Sequence, residues 1–426
     1  MNIKTIVNNE LNEEYYSIHH KSGLEILVYP KKGHSKTYAI FATKYGSIDN
    51  AFICEDDINE VKVPEGIAHF LEHKLFENEE ESAFERYAKT GADANAFTSF
   101  DKTAYLFSCT ENFLESLEVL LDFVGSPYFT KESIDKEQGI IGQEINMYND
   151  NAQWQVFFNA LKAAYVLHPV KEDIAGTIKS ISEITPEHLY KCYNSFYNLS
   201  QMVLCVCGDI DVNSVLNIAD KVLKDKKNSN VKRIYPIEPM NISQKIIKKN
   251  LSVSMPLFNI GIKDNVKDLF GNEFLKKQAV TEILLKLIAG ESSRLYLKLY
   301  QEGLINSSFS CDFMLSESFG IALIGGESCN PEKVYKELFN NIEQLRKKGV
   351  KKADFDRCKK AIYGKVVKRF NSVENIANDL VLCYITKVNI YDIMNAYRNA
   401  SFEDAIIRLN EFFNEQMAVL SIIEPN

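Results

Sequence analysis

The feature that most constrains the fold of this chain is an order of elements that occurs twice along it. In the first half, apolar periodicity predicts, in order, helices at 66–76 and 82–90, strands at 94–100 and 103–109, and an amphipathic helix at 112–124. The same order returns at similar spacing in the second half, with helices at 275–288 and 294–300, strands at 307–313 and 319–325, and a helix at 331–348. A repeated order of this kind predicts two structurally related domains.

The length of the chain agrees with two domains, because 426 residues exceed what one hydrophobic core usually fills. Residues 224–246 are rich in lysine, asparagine and proline and contain few periodic apolar positions, which is typical of a linker. We therefore predict an α+β protein with an N-terminal domain at 1–223, a linker at 224–246 and a C-terminal domain at 247–426. Each domain is expected to be a mostly antiparallel sheet packed by helices.

Two further strand predictions concern the first domain. Residues 24–29 and 38–45 are β-rich and are separated by turn residues, a pattern that predicts a hairpin. The apolar run 202–208 predicts a buried strand, in which Cys205 and Cys207 share one face. With no second pair of ligands nearby, these two thiols are interpreted as buried side chains and not as a metal site.

Composition excludes several classes of protein. The net charge of −9 argues against a nucleic-acid partner, which would need a clustered positive surface. The N-terminal residues lack the pattern of a signal peptide, and no run of about 18 apolar residues predicts membrane insertion. Nine scattered cysteines are not the pattern of a disulfide scaffold. The expectation is a cytoplasmic protein.

The segment with the clearest chemistry is PEGIAHFLEHKLF at 64–76. His69 and His73 are four residues apart, so on a helix both imidazoles project from one face and can bind one ion at about 2.0–2.1 Å. Glu72 lies on the same side but is displaced around the helix axis, so it can activate a water molecule without binding the metal. This H-x-x-E-H order is the signature of inverted zinc peptidases.

A catalytic zinc site needs a third protein ligand, and the predicted helix 131–148 supplies candidates. Glu137 and Glu144 are seven residues apart and therefore lie on one face of that helix, two turns apart. We predict Glu144 as the third ligand of one Zn²⁺ per chain, with Glu137 supporting a ligand imidazole. The alternative is a chance motif on a solvated helix face. The apolar residues on both flanks of His69 and His73 disfavour that alternative.

With these residues the sequence resembles the pitrilysin/insulinase family, in particular its short bacterial members that are similar to mitochondrial processing peptidase. The resemblance covers nearly the whole chain, because further family blocks follow in the right order. The matching residues outside the first block are Gly91, Asn95, Ala96, Thr98, Thr103, Tyr105, the segment EQGIIGQEINMY at 137–148, His168, Pro169 and Gly176.

The resemblance implies a zinc metalloendopeptidase that hydrolyses unfolded peptides or a processing substrate. It implies zinc ligation by His69, His73 and Glu144, a general base at Glu72 and a supporting acid at Glu137. It also implies that Asn95 and Ala96 hold the substrate backbone at an edge strand, a binding mode that relies on main-chain hydrogen bonds and accepts many sequences.

One family block departs from the pattern. Where the family has a block similar to SSRLFxxLREKxGLAYS, this chain has SSRLYLKLYQEGLINSS at 292–308, with Tyr300 in place of an arginine, Asn306 in place of a tyrosine and one residue fewer between them. The resemblance therefore implies a paralogous partner subunit that supplies the missing pair. The alternatives are a homodimer that uses other residues, and a non-catalytic maturation or assembly subunit that retains the peptidase fold.

Overall fold

The computed structural model describes residues 2–54, 59–79, 81–224 and 230–426. The strands within these ranges are β1 Asn2–Asn8, β2 Glu13–His19, β3 Glu25–Pro30, β4 Thr37–Thr43, β5 Ala51–Cys54, β6 Val61–Lys62, β7 Asp93–Thr98, β8 Thr103–Cys109, β9 Met202–Gly208, β10 Val231–Arg233, β11 Ile246–Leu251, β12 Leu257–Asp264, β13 Ser310–Leu315, β14 Gly320–Glu327 and β15 Ala418–Pro425.

The helices within the same ranges are α1 Ile67–Leu75, α2 Ala83–Thr90, α3 Phe113–Gly125, α4 Lys131–Asp150, α5 Ala152–Ala164, α6 Ile178–Ser182, α7 Pro186–Phe196, α8 Val212–Val222, α9 Gly271–Ala289, α10 Arg294–Gln301, α11 Pro331–Lys348, α12 Lys352–Arg369, α13 Val373–Thr386, α14 Ile390–Asn399 and α15 Phe402–Glu411. Measured by length and hydropathy, none of these described helices qualifies as a membrane span.

The chain forms two compact units, each built from segments that are discontinuous in sequence. The first unit consists of Met1–Ile145, Asp173–Tyr235 and Lys368–Ile385, and the second of Asn146–Glu172, Pro236–Val367 and Thr386–Asn426. The predicted domains at 1–223 and 247–426 were contiguous, so the observed units differ from that prediction in two segments.

Local contacts explain both segments. Val156 of α5 packs with Leu257 of β12 and Ile423 of β15, which makes α5 part of the second unit's core. In the first unit, Tyr384 of α13 donates a hydrogen bond to the Ser200 carbonyl at 3.3 Å. Part of the predicted linker is also ordered into a sheet, because β10 pairs with β5; residues 225–229 of that prediction lie outside the described residues.

The larger sheet of the first unit has the strand order β1-β2-β3-β9-β4-β8-β7. The predicted hairpin of residues 24–29 and 38–45 is therefore wrong, because β9 lies between β3, to which it is parallel, and β4, to which it is antiparallel. All seven residues of β9 are buried, including Cys205 and Cys207 as predicted. A strand buried along its whole length needs a neighbour on each side to pair its backbone groups, and β3 and β4 provide them.

The sheet of the second unit has the order β11-β15-β12-β14-β13. Its pairings repeat those of the first unit: β11 runs parallel to β15 as β3 does to β9, and β15–β12, β12–β14 and β14–β13 are antiparallel as β9–β4, β4–β8 and β8–β7 are. The prediction of an α+β protein with two related, mostly antiparallel sheets packed by helices is thus confirmed, and the relationship extends to strand order.

Candidate metal centre

Helix α1 carries the H-x-x-E-H motif, and its start is fixed by a close contact between two backbone segments. Gly66 precedes the helix with φ of +87°, a conformation that favours glycine. A Cβ atom at Gly66 would lie 2.4 Å from the Ala175 carbonyl oxygen, and one at Gly176 would lie 2.5 Å from the Glu65 carbonyl oxygen. Both glycines are therefore required where the loop before α1 meets residues 175–176.

The opposite face of α1 anchors the helix in the first unit. Phe70 and Leu71 are fully buried and Leu75 is nearly so. Full burial of two large apolar side chains contributes several kcal/mol in total, at about 1.5–3 kcal/mol each. The face with His69 and His73 is consequently held in one orientation.

The three predicted ligands converge. Their ligand atoms, from His69, His73 and Glu144, all lie within 4.8 Å of one another. Glu144 Oε2 on α4 is 3.7 Å from His69 Nε2 and 3.6 Å from His73 Nε2. The two imidazole rings are 4.5 Å apart between centroids.

These distances fit a zinc ion. Tetrahedral zinc with bonds of about 2.0–2.2 Å places its donor atoms about 3.4 Å apart, close to the separations from Glu144 to the two histidines. Two imidazole nitrogens and one carboxylate oxygen form a common donor set of catalytic zinc sites. His69, His73 and Glu144 could therefore hold the ion.

Glu137 lies behind one of the candidate ligands. His73 Nδ1 lies 3.0 Å from Glu137 Oε1, and in the neutral tautomer that donates this hydrogen bond Nε2 carries no proton on the side of Glu144. Burial disfavours the imidazolium form of His73, but the Glu137 hydrogen bond and the neighbouring carboxylates outweigh it and raise the His73 pKa. Burial likewise acts against the charge of Glu137, yet the hydrogen bond from His73 lowers its pKa. Glu137 thus orients the His73 ring.

His69 has a different environment. Burial, together with the nearby His73, lowers the pKa of His69 to about 4 despite the opposing charges of Glu144 and Glu137. Its Nδ1 atom is buried and has no hydrogen-bond partner within the described ranges. A neutral imidazole is the form that binds a metal ion, so this side chain is ready for ligation near neutral pH.

Glu72 is the remaining member of the motif. Its side chain is buried, and Thr98 Oγ1 of β7 donates a hydrogen bond to Glu72 Oε2 at 2.7 Å. Burial raises the Glu72 pKa more than the Thr98 hydrogen bond lowers it. A carboxylate with a raised pKa beside a metal centre is suited to accept and return a proton.

Asn95 and Ala96 lie on β7, the last strand of the larger sheet; among the described residues no further strand pairs with it. At this edge the Asn95 side-chain oxygen accepts a hydrogen bond from the Ala96 amide at 2.8 Å. An open edge of this kind can pair with an extended peptide.

Sequence reasoning missed two neighbours of the motif. Thr98 was matched only as a member of a family block, and no spacing rule connects it to Glu72, 26 residues away. Lys74 follows His73 and is completely buried, with its Nζ donating to Glu77 and, at 3.4 Å, to the Ser133 carbonyl. Only its position among apolar residues in the motif could have suggested that burial.

The two positions where the family block departs lie in the second unit. Tyr300 is the second-to-last residue of α10, and 54% of it is exposed. Asn306 donates a hydrogen bond to Glu327 Oε2 at 2.6 Å and accepts one from the Ser308 amide at 2.9 Å.

Comparison with known proteins identifies the family of this chain. A family model described as insulinase (peptidase family M16) matches residues 55–178, and one described as peptidase M16 inactive domain matches residues 183–362. A zinc protease of Bacillus subtilis (strain 168), named uncharacterized zinc protease YmfH, is 40% identical over 408 residues, which cover 94% of each chain. The zinc protease PqqE of Helicobacter pylori (strain ATCC 700392 / 26695) is 25% identical and covers 86% of this chain and 85% of its own.

Solved structures agree with the sequence relatives. A crystal structure described as that of an M16-like peptidase from Alicyclobacillus acidocaldarius has a TM-score of 0.93 and 32% identity, covering 100% of this chain and 99% of its own. A Helicobacter pylori protease has the same fold, with a TM-score of 0.83, 22% identity and coverage of 97% and 100%. The similarity extends over almost the whole length of these proteins, and this chain therefore belongs to the insulinase family of peptidases, family M16.

Proposed function

We propose that this chain is the zinc-bearing catalytic subunit of a metalloendopeptidase that hydrolyses unfolded peptides or a processing substrate. The observation that carries the proposal is the convergence of His69, His73 and Glu144, with distances of 3.6–3.7 Å between the carboxylate and the two Nε2 atoms. Relatives named zinc proteases support the choice of metal. The cluster of His69, His73 and Glu144 corresponds to one Zn²⁺ per chain.

The roles of the side chains follow from their positions. When bound, zinc supplies Lewis-acid chemistry that polarises the scissile carbonyl and makes water a stronger acid. Glu72 takes a proton from the attacking water and returns it to the leaving amine, a task for which its raised pKa is suited. Glu137 keeps the Nε2 atom of His73 directed at the metal position through its 3.0 Å hydrogen bond to Nδ1.

The open edge of β7 is the proposed site of the substrate backbone. A peptide that adds to this edge forms main-chain hydrogen bonds near Asn95 and Ala96, on the strand that also contacts Glu72 through Thr98. The Asn95 side chain, which now accepts the Ala96 amide, would rotate to release that donor to the peptide. Selection would then depend on whether a segment can become extended rather than on its sequence.

The second half of the chain supports a partner subunit. Tyr300 and Asn306 replace the arginine and tyrosine that the family resemblance leads us to expect, and the family model that matches residues 183–362 is described as an inactive domain. We propose that a paralogous subunit, within the cytoplasm, supplies this pair. A homodimer that uses other residues is the alternative.

A second candidate function also rests on Tyr300 and Asn306. A subunit that lacks this pair could serve assembly or maturation of a complex while retaining the peptidase fold. Retention of the three candidate ligands together with Glu72 favours catalysis, because an assembly subunit has no need for a buried carboxylate beside a metal site.

Replacement of the general base tests the catalytic proposal. Glu72→Gln should leave one zinc ion per chain, measured by elemental analysis, and should lower peptide cleavage by at least about 10³-fold, since proton transfer by Glu72 is lost. The matched control is Glu118→Gln, the same chemical change at a glutamate of α3 that pairs with Lys221. Zinc-free protein after expression with zinc would favour the assembly function, whereas undiminished cleavage by Glu72→Gln would remove Glu72 from the mechanism.

Activity should also depend on the partner. Addition of an M16 relative that has the arginine and tyrosine should raise the rate of peptide cleavage well above that of the isolated chain, and Glu72→Gln should abolish the increase. If the isolated chain cleaves peptides at the full rate of the mixture, the partner proposal fails and the homodimer is favoured.

A further inference from the structure

A single threonine connects the edge strand of the first unit to the candidate general base. Thr98 is the last residue of β7, and its Oγ1 donates to Glu72 Oε2 at 2.7 Å. The Thr98 hydroxyl therefore binds a carboxylate that is only 8% exposed.

The hydroxyl of Thr98 is itself held by its surroundings. Thr98 and Thr103 are paired across β7 and β8, with their Oγ1 atoms 3.4 Å apart. Thr103 is fully buried and donates to the Tyr45 carbonyl at 2.9 Å. The turn that joins the two strands is closed by a 2.8 Å bond from the Ser99 amide to the Lys102 carbonyl. The Thr98 hydroxyl, which donates to Glu72, therefore lies next to a tight turn whose position these hydrogen bonds fix.

The position of Thr98 on its strand matters for the reaction. Residues two apart on a strand point to the same face, so Thr98 and Ala96 share a face of β7. Strand β7, on which we place the substrate backbone, therefore also binds the Glu72 carboxylate, which must lie close to the scissile bond. A shift of about 1 Å in such a group is enough to cost a large factor in rate.

We infer that Thr98 is a positioning residue for the general base: by binding Oε2 of Glu72, it fixes the carboxylate so that its other oxygen faces the metal position. This inference rests on the proposed function. Within the described ranges, Thr98 makes no hydrogen bond to His69, His73 or Glu144, so its effect is expected to be exerted through Glu72.

The test compares two substitutions at this position. Thr98→Val keeps the branched shape and removes the hydroxyl, and Thr98→Ser restores the hydroxyl without the methyl group. We expect Thr98→Val to lower kcat by about 10–100-fold with KM changed less than about threefold, because a support to a catalytic group is lost. Thr98→Ser should recover to within about threefold of the original kcat. Zinc content should remain one per chain in both.

The matched control is Thr43→Val. Thr43 is a buried threonine of β4 that pairs with Thr103, and its Oγ1 donates to the Phe196 carbonyl at 2.6 Å instead of to Glu72. Thr43→Val should unfold at a lower temperature while its kcat stays within about twofold, because one buried hydrogen bond outside the Glu72 contact is lost. A general effect of losing a strand hydroxyl would lower kcat in both valine variants and would overturn the inference.

A second readout needs no cleavage. The visible absorption spectrum of the protein loaded with Co²⁺ in place of zinc responds to hydrogen bonding around the ion, so it reports on Glu72. Thr98→Val and Glu72→Gln should both change this spectrum, while Thr43→Val should not. If Thr98→Val leaves the spectrum and kcat unaltered, or if Thr98→Ser is as impaired as Thr98→Val, the inference is wrong. If the original protein cleaves no peptide even with a partner but Thr98→Val still alters the spectrum, the proposed function fails while the positioning role stands.

Discussion

The two units share a strand arrangement but differ in the chemistry of their matching helices. Helices α1 and α9 each precede a short helix that begins after a serine cap, Ser82 in one unit and Ser293 in the other. Counted back from the last helical residues, His69, Glu72 and His73 of α1 correspond to Ile283, Lys286 and Leu287 of α9.

The helix that supplies the third ligand differs in the same way. Counted from their first residues, Glu137 and Glu144 of α4 correspond to Cys358 and Lys365 of α12. An ion held by two imidazoles and a carboxylate has no counterpart where these positions are apolar, a thiol or a lysine. The difference teaches that the shared fold depends on the pattern of buried apolar residues, while the metal chemistry depends on a few side chains added to one copy of it.

The largest effect is expected when the third candidate ligand, Glu144, is replaced and the result is compared with the same change at the corresponding residue of the second unit. Glu144→Gln should weaken zinc binding by about 10³-fold or more, because one of three protein ligands loses its charge. The corresponding change in the second unit, Lys365→Gln, should leave zinc affinity unchanged. Both affinities can be measured by competition with a chelator of known affinity. Zinc binding that persists unweakened in Glu144→Gln would remove this residue from the site.

The site was predictable from the sequence because helical spacing fixes which residues share a face. His69 and His73 are one turn apart, so local periodicity was sufficient for that pair, whereas Glu144 was singled out on another helix by its place in a family block. No such rule links β9 to β3 and β4, since the pairing of Cys205 with Leu27 joins residues far apart in sequence. The predicted hairpin failed for that reason.

The other features that the sequence did not predict also depend on long-range packing. The exchange of residues 146–172 and 368–385 between the two units depends on which core α5 and α13 contact, which periodicity does not encode. The hydrogen bond from Thr98 to Glu72 likewise arises only when β7 and α1 meet. The fold class and the repeated element order needed no such information, because each follows from local patterns.

A smaller but still substantial effect is expected at the starts of the matching helices. Gly66 before α1 and Gly271 at the start of α9 both have positive φ, but only Gly66 is in close contact with backbone atoms. Gly66→Ala should lower the free energy of unfolding by about 2–5 kcal/mol, since the clash with the Ala175 carbonyl adds to the cost of a left-handed alanine.

Gly271→Ala is the matched control for that change. No atom lies within 4 Å of the added Cβ, so only the backbone cost of about 1 kcal/mol applies. Denaturant unfolding of both variants measures the difference. Equal destabilisation would mean that the contact between residues 65–66 and 175–176 contributes nothing beyond backbone conformation.

The smallest predicted effect concerns the protonation of two histidines, one in each unit. In the first unit, a carboxylate accepts from His73 Nδ1 and raises its pKa; in the second, His168 Nδ1 accepts a hydrogen bond from the Val170 amide at 3.1 Å. His168 Nε2 then carries the proton and donates to Ser318 Oγ at 3.1 Å. Burial lowers the His168 pKa to about 4, with the charge of Glu238 opposing this shift.

His168 should therefore make the protein less stable in mild acid. Its folded pKa lies below the value of about 6.5 expected when unfolded, so the unfolded chain binds the proton first, and stability present above pH 6.5 is lost as pH falls towards 4. Between pH 7 and pH 5 this single group should lower the free energy of unfolding by about 2 kcal/mol.

His168→Asn, whose oxygen can still accept from Val170, should remove about that much of the loss of stability, measured by denaturant unfolding of the metal-free protein. His19→Asn, at a side chain that is 70% exposed, is the control for the same substitution at another histidine. If His168→Asn loses as much stability between pH 7 and pH 5 as the original protein, then His168 is not held neutral by its bond from Val170, and the contrast with His73 is not one of protonation.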